Sequence, residues 1–150
     1  MNLSNSTSYL PFLCKALQYT PTPLAQCIVC CDDETYAPIA GVIYDGYNGA
    51  TIHAHIWVDA GRSPMREWYA AIFDYPFNVC GVTKIIGQVK SGNEEARRLD
   101  EHFGFVLEAE ITQYYESGDS LLVYTMTREQ CRVLNSPVWA KARQRIRRGS

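Results

Sequence analysis

Two histidines two residues apart, His53 and His55, stand in the stretch Thr51-Ile52-His53-Ala54-His55-Ile56-Trp57-Val58. An imidazole that is neutral near pH 7 suits the removal of a proton from an attacking amine. Alternate residues of an extended chain face opposite ways, so Ile52, Ala54, Ile56 and Val58 form one face and Thr51, His53, His55 and Trp57 the other. The pattern predicts a strand with a core face and a face free for chemistry, although hydrogen-bonded structural histidines would satisfy the same spacing. Arg62 and Arg66 follow directly and bracket a predicted helix start. Orphan N–H groups and the helix dipole attract anions there, and two guanidinium groups make a phosphate clamp; a solvated surface pair is the alternative. Tyr124, Tyr114 and Tyr115 are candidate acids, set against ordinary packing roles with one hydrogen bond each. His102, near a helix end, reads as structural.

The six cysteines are Cys14, Cys27, Cys30, Cys31, Cys80 and Cys131. One C-x-x-C in an apolar run supplies two of a zinc site's four ligands, and no second pair at ligand spacing follows closely. We expect buried, reduced thiols and no metal.

These residues need a scaffold, and 150 residues with 47% hydrophobic and 20% charged content suffice for one core but not for two ordinary domains. No apolar run is long enough to span a bilayer, and no basic residue precedes an apolar stretch at the N-terminus. The expectation is a cytoplasmic chain without a secretory signal. Lys141, Arg143, Arg145, Arg147 and Arg148 crowd the end, leaving residues 1–140 at about −7 against about +5 for the last ten. A basic tail over 136–150 is therefore set apart from a domain over 1–135, and nucleic acid would bind only through that tail.

Residues 1–8 are polar and read as loose, a short helix fits Tyr9–Tyr19, and little core is expected before residue 24. Strands fit residues 24–31, 38–44 and 50–58 as an antiparallel meander, with Gly46, Asn48 and Gly49 at the second turn. Ser63 is placed as a helix N-cap with Pro64 at the first helical position, and Tyr75-Pro76 ends that helix. A strand over 82–90 leads to Asn93, a cap for a helix that Gly104 terminates. Long and short strands, 105–116 and 121–127, close the pattern. The order implies an α/β fold with a sheet of mixed direction.

Several stretches carry a resemblance: Gly81 to Val89, Asn93 to Leu99, Phe103-Gly104-Phe105, and Gly118 to Tyr124 with Met126. Together they resemble the second half of GNAT-family acyl-CoA N-acyltransferases, and the match covers residues 38–134. Phe73 to Phe77 and Arg128 to Cys131 resemble short members found in bacteriophage genomes. The resemblance implies a mostly antiparallel central sheet, splayed in the middle and flanked by helices on both faces. It further implies acetyl-CoA as acyl donor, its arm held along Ile56, Trp57 and Val58 and bonded by Asn93. The pyrophosphate would rest on the segment Arg62, Ser63, Pro64, Met65 and Arg66.

Three departures stand out, one of them a reduced N-terminal region of about one helix where the family has a strand and two helices that shape the acceptor pocket. The family's phosphate loop carries spaced glycines, whereas residues 63–67 hold none, and the family's usual acid is a Tyr where this chain has Asp100. The expected function is direct attack of an amine on acetyl-CoA in a ternary complex. His55 is the favoured base, His53 the second choice and Tyr124 a candidate acid. The alternative is a catalytically inactive module, a virion component or a binder of host protein. The acceptor, a protein (a host protein among the options) or a small molecule, is left open, as is a homodimer; a phage-encoded chain would work in the host cytoplasm.

Overall fold

The computed structural model describes residues 1–148. Period-two patterning forms β2 (Gln26–Cys31), β3 (Pro38–Asp45) and β4 (Thr51–Val58), an antiparallel meander in which Ile43 pairs with His55 and Val42 with Ile56. The hairpin turn between β3 and β4 places Gly46 and Gly49 at positive φ, as expected for glycine in a tight connection. The N-terminus is a correction: Asn2–Ser4 forms β1, pairing antiparallel with β2 at the sheet's edge. An edge position tolerates this polar segment because only Leu3 must pack inward, against the main core.

Helix α1 (Leu10–Leu17) overturns the second N-terminal expectation, since Leu13 is fully buried. It sits directly on Gly41 of β3, where an added Cβ would lie 2.5 Å from a Leu13 methyl carbon. Glycine at 41 thus lets α1 approach the sheet. Leu13, Cys27, Val29, Cys31 and Ile43 form the smaller core on this face, with Trp57 against it.

The opposite face holds the larger core. Helix α2 (Arg66–Asp74) buries Trp68, Ala70, Ile72 and Phe73 there and continues into a wider turn over Tyr75–Val79. It starts three residues after the predicted cap. Met65, extended and packed against the core, occupies the cap position, so Ser63 and Pro64 lie ahead of the helix. Strand β5 (Lys84–Lys90) then runs parallel to β4, and β7 (Leu121–Met126) and β6 (Val106–Ile111) complete the order β1-β2-β3-β4-β5-β7-β6. The strand predicted over 105–116 stops at Ile111 because the chain turns away, with Gln113 at φ 55°.

Helix α3 (Glu94–Phe103) lies between β5 and β6 in sequence and packs on the α2 face through Phe103. Its caps match the sequence: the Asn93 side chain accepts from the Ala96 N–H, and Gly104 takes the left-handed C-cap at φ 109°.

Residues 136–148 fold back onto the domain. After α4 (Arg132–Asn135) comes a single tight turn whose last residue, Trp139, packs on the core, and α5 (Ala140–Arg148) then lies along α2 with Ala142 and Ile146 continuing that stripe. Arg145 pairs with Glu67 at 2.7 Å, and Arg143 donates to the carbonyls of Val133 and Ser136. Gly149 and Ser150 of the predicted tail lie outside the described residues.

Gly104 fixes how α3 ends against this C-terminal segment, because a Cβ there would lie 1.9 Å from the Gln130 carbonyl oxygen. Gly104→Ala should cost about 2–4 kcal/mol from the clash and the positive φ together. Urea denaturation measures it, and a loss below about 0.5 kcal/mol would show that the segment simply yields.

Candidate functional site

Strands β4 and β5 pair at only three positions, Thr51 with Lys84, Ile52 with Ile85 and His53 with Ile86. Beyond them the strands part. On its other side β4 stays paired to β3 as far as Val58, and β5 stays paired to β7 as far as Lys90. The separation opens a cavity of about 460 Å³ through the middle of the sheet. Ala54, His55 and Ile56 form one wall, and Gly87, Gln88, Val89 and Lys90 the other.

The cavity reaches both faces of the sheet. On the α1 face it is lined by Leu17, Gln18 and Tyr19, the last two delivered by the left-handed turn at Gln18 that ends α1. On the α3 face it is lined by Asn93, Ala96, Leu99, Asp100 and Phe105, and Tyr114 and Tyr115 contribute from the segment after β6.

His55 stacks on Tyr19 with ring centroids 3.9 Å apart, and its Nε2 is buried without a hydrogen-bond partner among the described residues. Burial, then the neighbouring His53, push its pKa down to about 4, so the imidazole is neutral through the physiological range. Tyr19 is fixed from behind: its hydroxyl donates to Asp45 at 2.7 Å, and burial followed by that bond raises its pKa to about 12. Asp45 also accepts from the Thr22 N–H and hydroxyl. These bonds outweigh the upward push of burial and hold its carboxylate at about 2. His53 lies away from the cavity, beneath the hairpin, where a Cβ on Gly46 would come within 2.9 Å of its ring.

Asp100 presents the opposite case. Its side chain is buried on the α3 wall beside Gly87, and burial, with Glu101 adjacent, raises its pKa to about 7. Asn93 caps α3 through its carbonyl oxygen and lines the cavity as well. Tyr124 does not reach the opening, because its hydroxyl donates to Glu101 at 3.0 Å and accepts from Arg97 beneath α3. Ile56 lines the cavity, whereas Trp57 turns to the α1 face against Phe12 and Val58 packs on the larger core.

The arginines stand differently from the sequence expectation. Arg66 lies 3.9 Å over the Trp139 ring and donates to the Val138 carbonyl, so the C-terminal segment holds it. Arg62 pairs with Asp32 at 2.7 Å in a partly exposed contact, a class of ion pair worth little and readily exchanged. Ser63, Pro64 and Met65 form the extended approach to α2.

An acyl-CoA arm fits part of this site. The gap offers main-chain groups without strand partners, apolar walls at Ile56, Val89 and Leu99, and the Asn93 amide. At the phosphate end the start of α2 has its backbone N–H groups and Arg62, but neither a glycine nor Arg66. No metal-binding group of three or more His, Cys, Asp or Glu side chains occurs among the described residues, and none of their helices is long and apolar enough to cross a membrane.

No family model and no curated protein matches the sequence. Solved structures match in fold. Spermidine/spermine N-acetyltransferase SpeG from Vibrio cholerae, in complex with manganese ions, superposes with a TM-score of 0.70 at 17% identity, over 91% of this chain and 96% of that one. Ribosomal-protein-S5-alanine acetyltransferase from Vibrio fischeri gives 0.63 at 14% identity, over 86% and 93%. A dodecameric spermidine N-acetyltransferase from Vibrio cholerae gives 0.64 at 19%, over 91% and 86%. The mixed sheet with its flanking helices is thus the fold of GNAT acetyltransferase structures.

Tyr19, Gln88 and Lys90 escaped the sequence reading. Thr20-Pro21-Thr22-Pro23 marks where α1 must stop, but only the Asp45 contact shows which way Tyr19 then points.

Asp100 makes stability depend on pH. Its folded pKa of about 7 lies above the unfolded value of 3.8, so its contribution is fully present below about pH 4 and lost as pH rises to about 7. Relative to Asp100→Asn, the wild type should lose about 2–4 kcal/mol across that window. Denaturant melts of both proteins at pH 4, 6 and 8 check it; parallel curves would mean the carboxyl is solvated.

Proposed function

We propose that this protein is an N-acetyltransferase that moves an acetyl group from acetyl-CoA to an amine by direct attack in a ternary complex. The observation that supports it most is the opening between β4 and β5, which joins the two faces of the sheet at a neutral, unpartnered imidazole. Acetyl-CoA, when bound, supplies an activated thioester. The chain's own groups do the rest. Unpaired main chain of β4 and β5 and the Asn93 amide orient the arm, and the start of α2 with Arg62 receives the phosphates.

The acceptor enters on the α1 face. His55 Nε2 accepts the proton released as the amine attacks, and the stack with Tyr19, itself tied to Asp45, holds the ring in position. With a pKa near 4 His55 is in its base form throughout the range 6 to 8, so it sets no pH limit there.

The entrance argues about the acceptor too. Tyr19, Tyr114 and Tyr115 surround it, Lys90 stands over the Tyr115 ring at 5.1 Å, and no carboxylate of the described residues lines this face. Such walls favour an amine with an aromatic or apolar flank and disfavour a polycation such as spermidine.

Isothermal titration with acetyl-CoA, joined to a mass-spectrometric screen of amines, tests the proposal. Binding in the micromolar range is expected, and Ala96→Phe, which fills the cavity, should abolish it. His55→Gln should lower kcat/KM by about 100-fold while acetyl-CoA affinity stays within about threefold, and His53→Gln should leave both unchanged. No binding up to about 1 mM would overturn the enzyme reading in favour of an inactive binding module.

A further inference from the structure

Asp100 is the single carboxyl among the described residues lining the opening. The residue is 7% exposed, and its side chain makes neither a hydrogen bond nor an ion pair with any described residue. Buried polar groups as a rule are partnered. Beside it stands Gly87, the position at which β5 has left β4; a Cβ there would lie 3.4 Å from Asp100 Oδ2. The missing side chain leaves space next to the carboxyl, open to the cavity.

The surroundings keep that carboxyl an acid. From α3 itself Glu101 adds negative charge, its own oxygen accepting the Tyr124 hydroxyl from β7. Arg97, the nearby cation of α3, is spent on Tyr124 and the Ser91 carbonyl, and Arg98 faces Glu94. From β5, Lys90 lies over Tyr115, and from β4 and the end of α1 come only neutral His55 and Tyr19. Among the described residues no cation therefore stabilises a carboxylate at this point.

We propose that Asp100 is a catalytic acid that delivers a proton to the sulfur of the departing thiolate, on the sheet face opposite His55. This inference rests on the acyl-transfer reading. The amine nitrogen's lone pair forms the new N–C bond, and the pair of the breaking C–S bond goes to sulfur. The Asp100 O–H proton then converts the thiolate to a thiol, leaving the carboxylate. The proton taken from nitrogen by His55 passes to solvent, and solvent reprotonates Asp100, so one proton leaves the amine and one joins the sulfur. A thiolate of ordinary basicity, with a conjugate-acid pKa of about 8.5, is the stronger base. Transfer from a carboxyl titrating near 7 is downhill.

Carbon-13 NMR of aspartate-labelled protein, with Asp100→Asn assigning the signal, tests this without turnover. Addition of CoA should move the Asp100 titration midpoint by about half a pH unit or more, whereas desulfo-CoA, bound equally well, should not. In turnover, wild-type kcat should fall as pH rises through about 7. Asp100→Asn should show a flat profile with kcat lowered by about 100-fold and unchanged acetyl-CoA affinity. Identical midpoints with CoA and desulfo-CoA, or an Asn variant with wild-type kcat and pH profile, would overturn the role of Asp100 and leave acyl transfer standing. Failure of CoA to bind at all would overturn both.

Discussion

The structure turns on where a parallel strand pair comes apart. Main-chain N–H and C=O groups in a sheet interior need partners, and each buried group left without one is costly. After His53 and Ile86, β4 and β5 each keep one neighbour and lose the other. The remaining elements maintain that separation rather than close it. Gly41 lets α1 press on the meander and carry Tyr19 to one mouth, while Gly104 ends α3 so that Phe105 closes the other. Because β5 is pinned to β7 by six residue pairs, it cannot drift back to β4.

Polar groups around the opening divide by whether the protein satisfies them. Asp45 receives bonds from Thr22, Tyr19 and the Gly46 N–H, and it serves as an anchor. The Asp100 carboxyl is buried and His55 half-buried, and neither side chain receives a hydrogen bond from a described residue. Each is consequently driven to its neutral form, the imidazole unprotonated and the carboxyl protonated, which is the pairing of base and acid that acyl transfer to an amine requires. The molecule forgoes stability here, since a satisfied or apolar pair would hold the fold better.

Much of this frame was legible in the sequence, for identifiable reasons. Alternation in residues 51–58 set the face of His55, and Asn93 with Gly104 bounded α3, because caps and period-two patterns are local physics. Long-range contacts were not legible. Asn2–Ser4 becomes a strand only because β2 offers an edge, and Arg66 turns from its expected phosphate role because it lies over the Trp139 ring. The stripe Trp139, Ala142, Ile146 was present to be read, but the run of arginines around it suggested solvent. His53 and His55 were equivalent by spacing; the hairpin at Gly46 and the end of α1 separate them.

The central claim is that the unpaired edges of β4 and β5 receive the acyl-thioester arm. Amide hydrogen exchange with and without acetyl-CoA tests it residue by residue. Protection should appear at 55–58 of β4 and 87–90 of β5, with the antiparallel pairs of β2 and β3 unchanged. Binding that protects other segments, or that leaves those two edges exchanging as before, would contradict it.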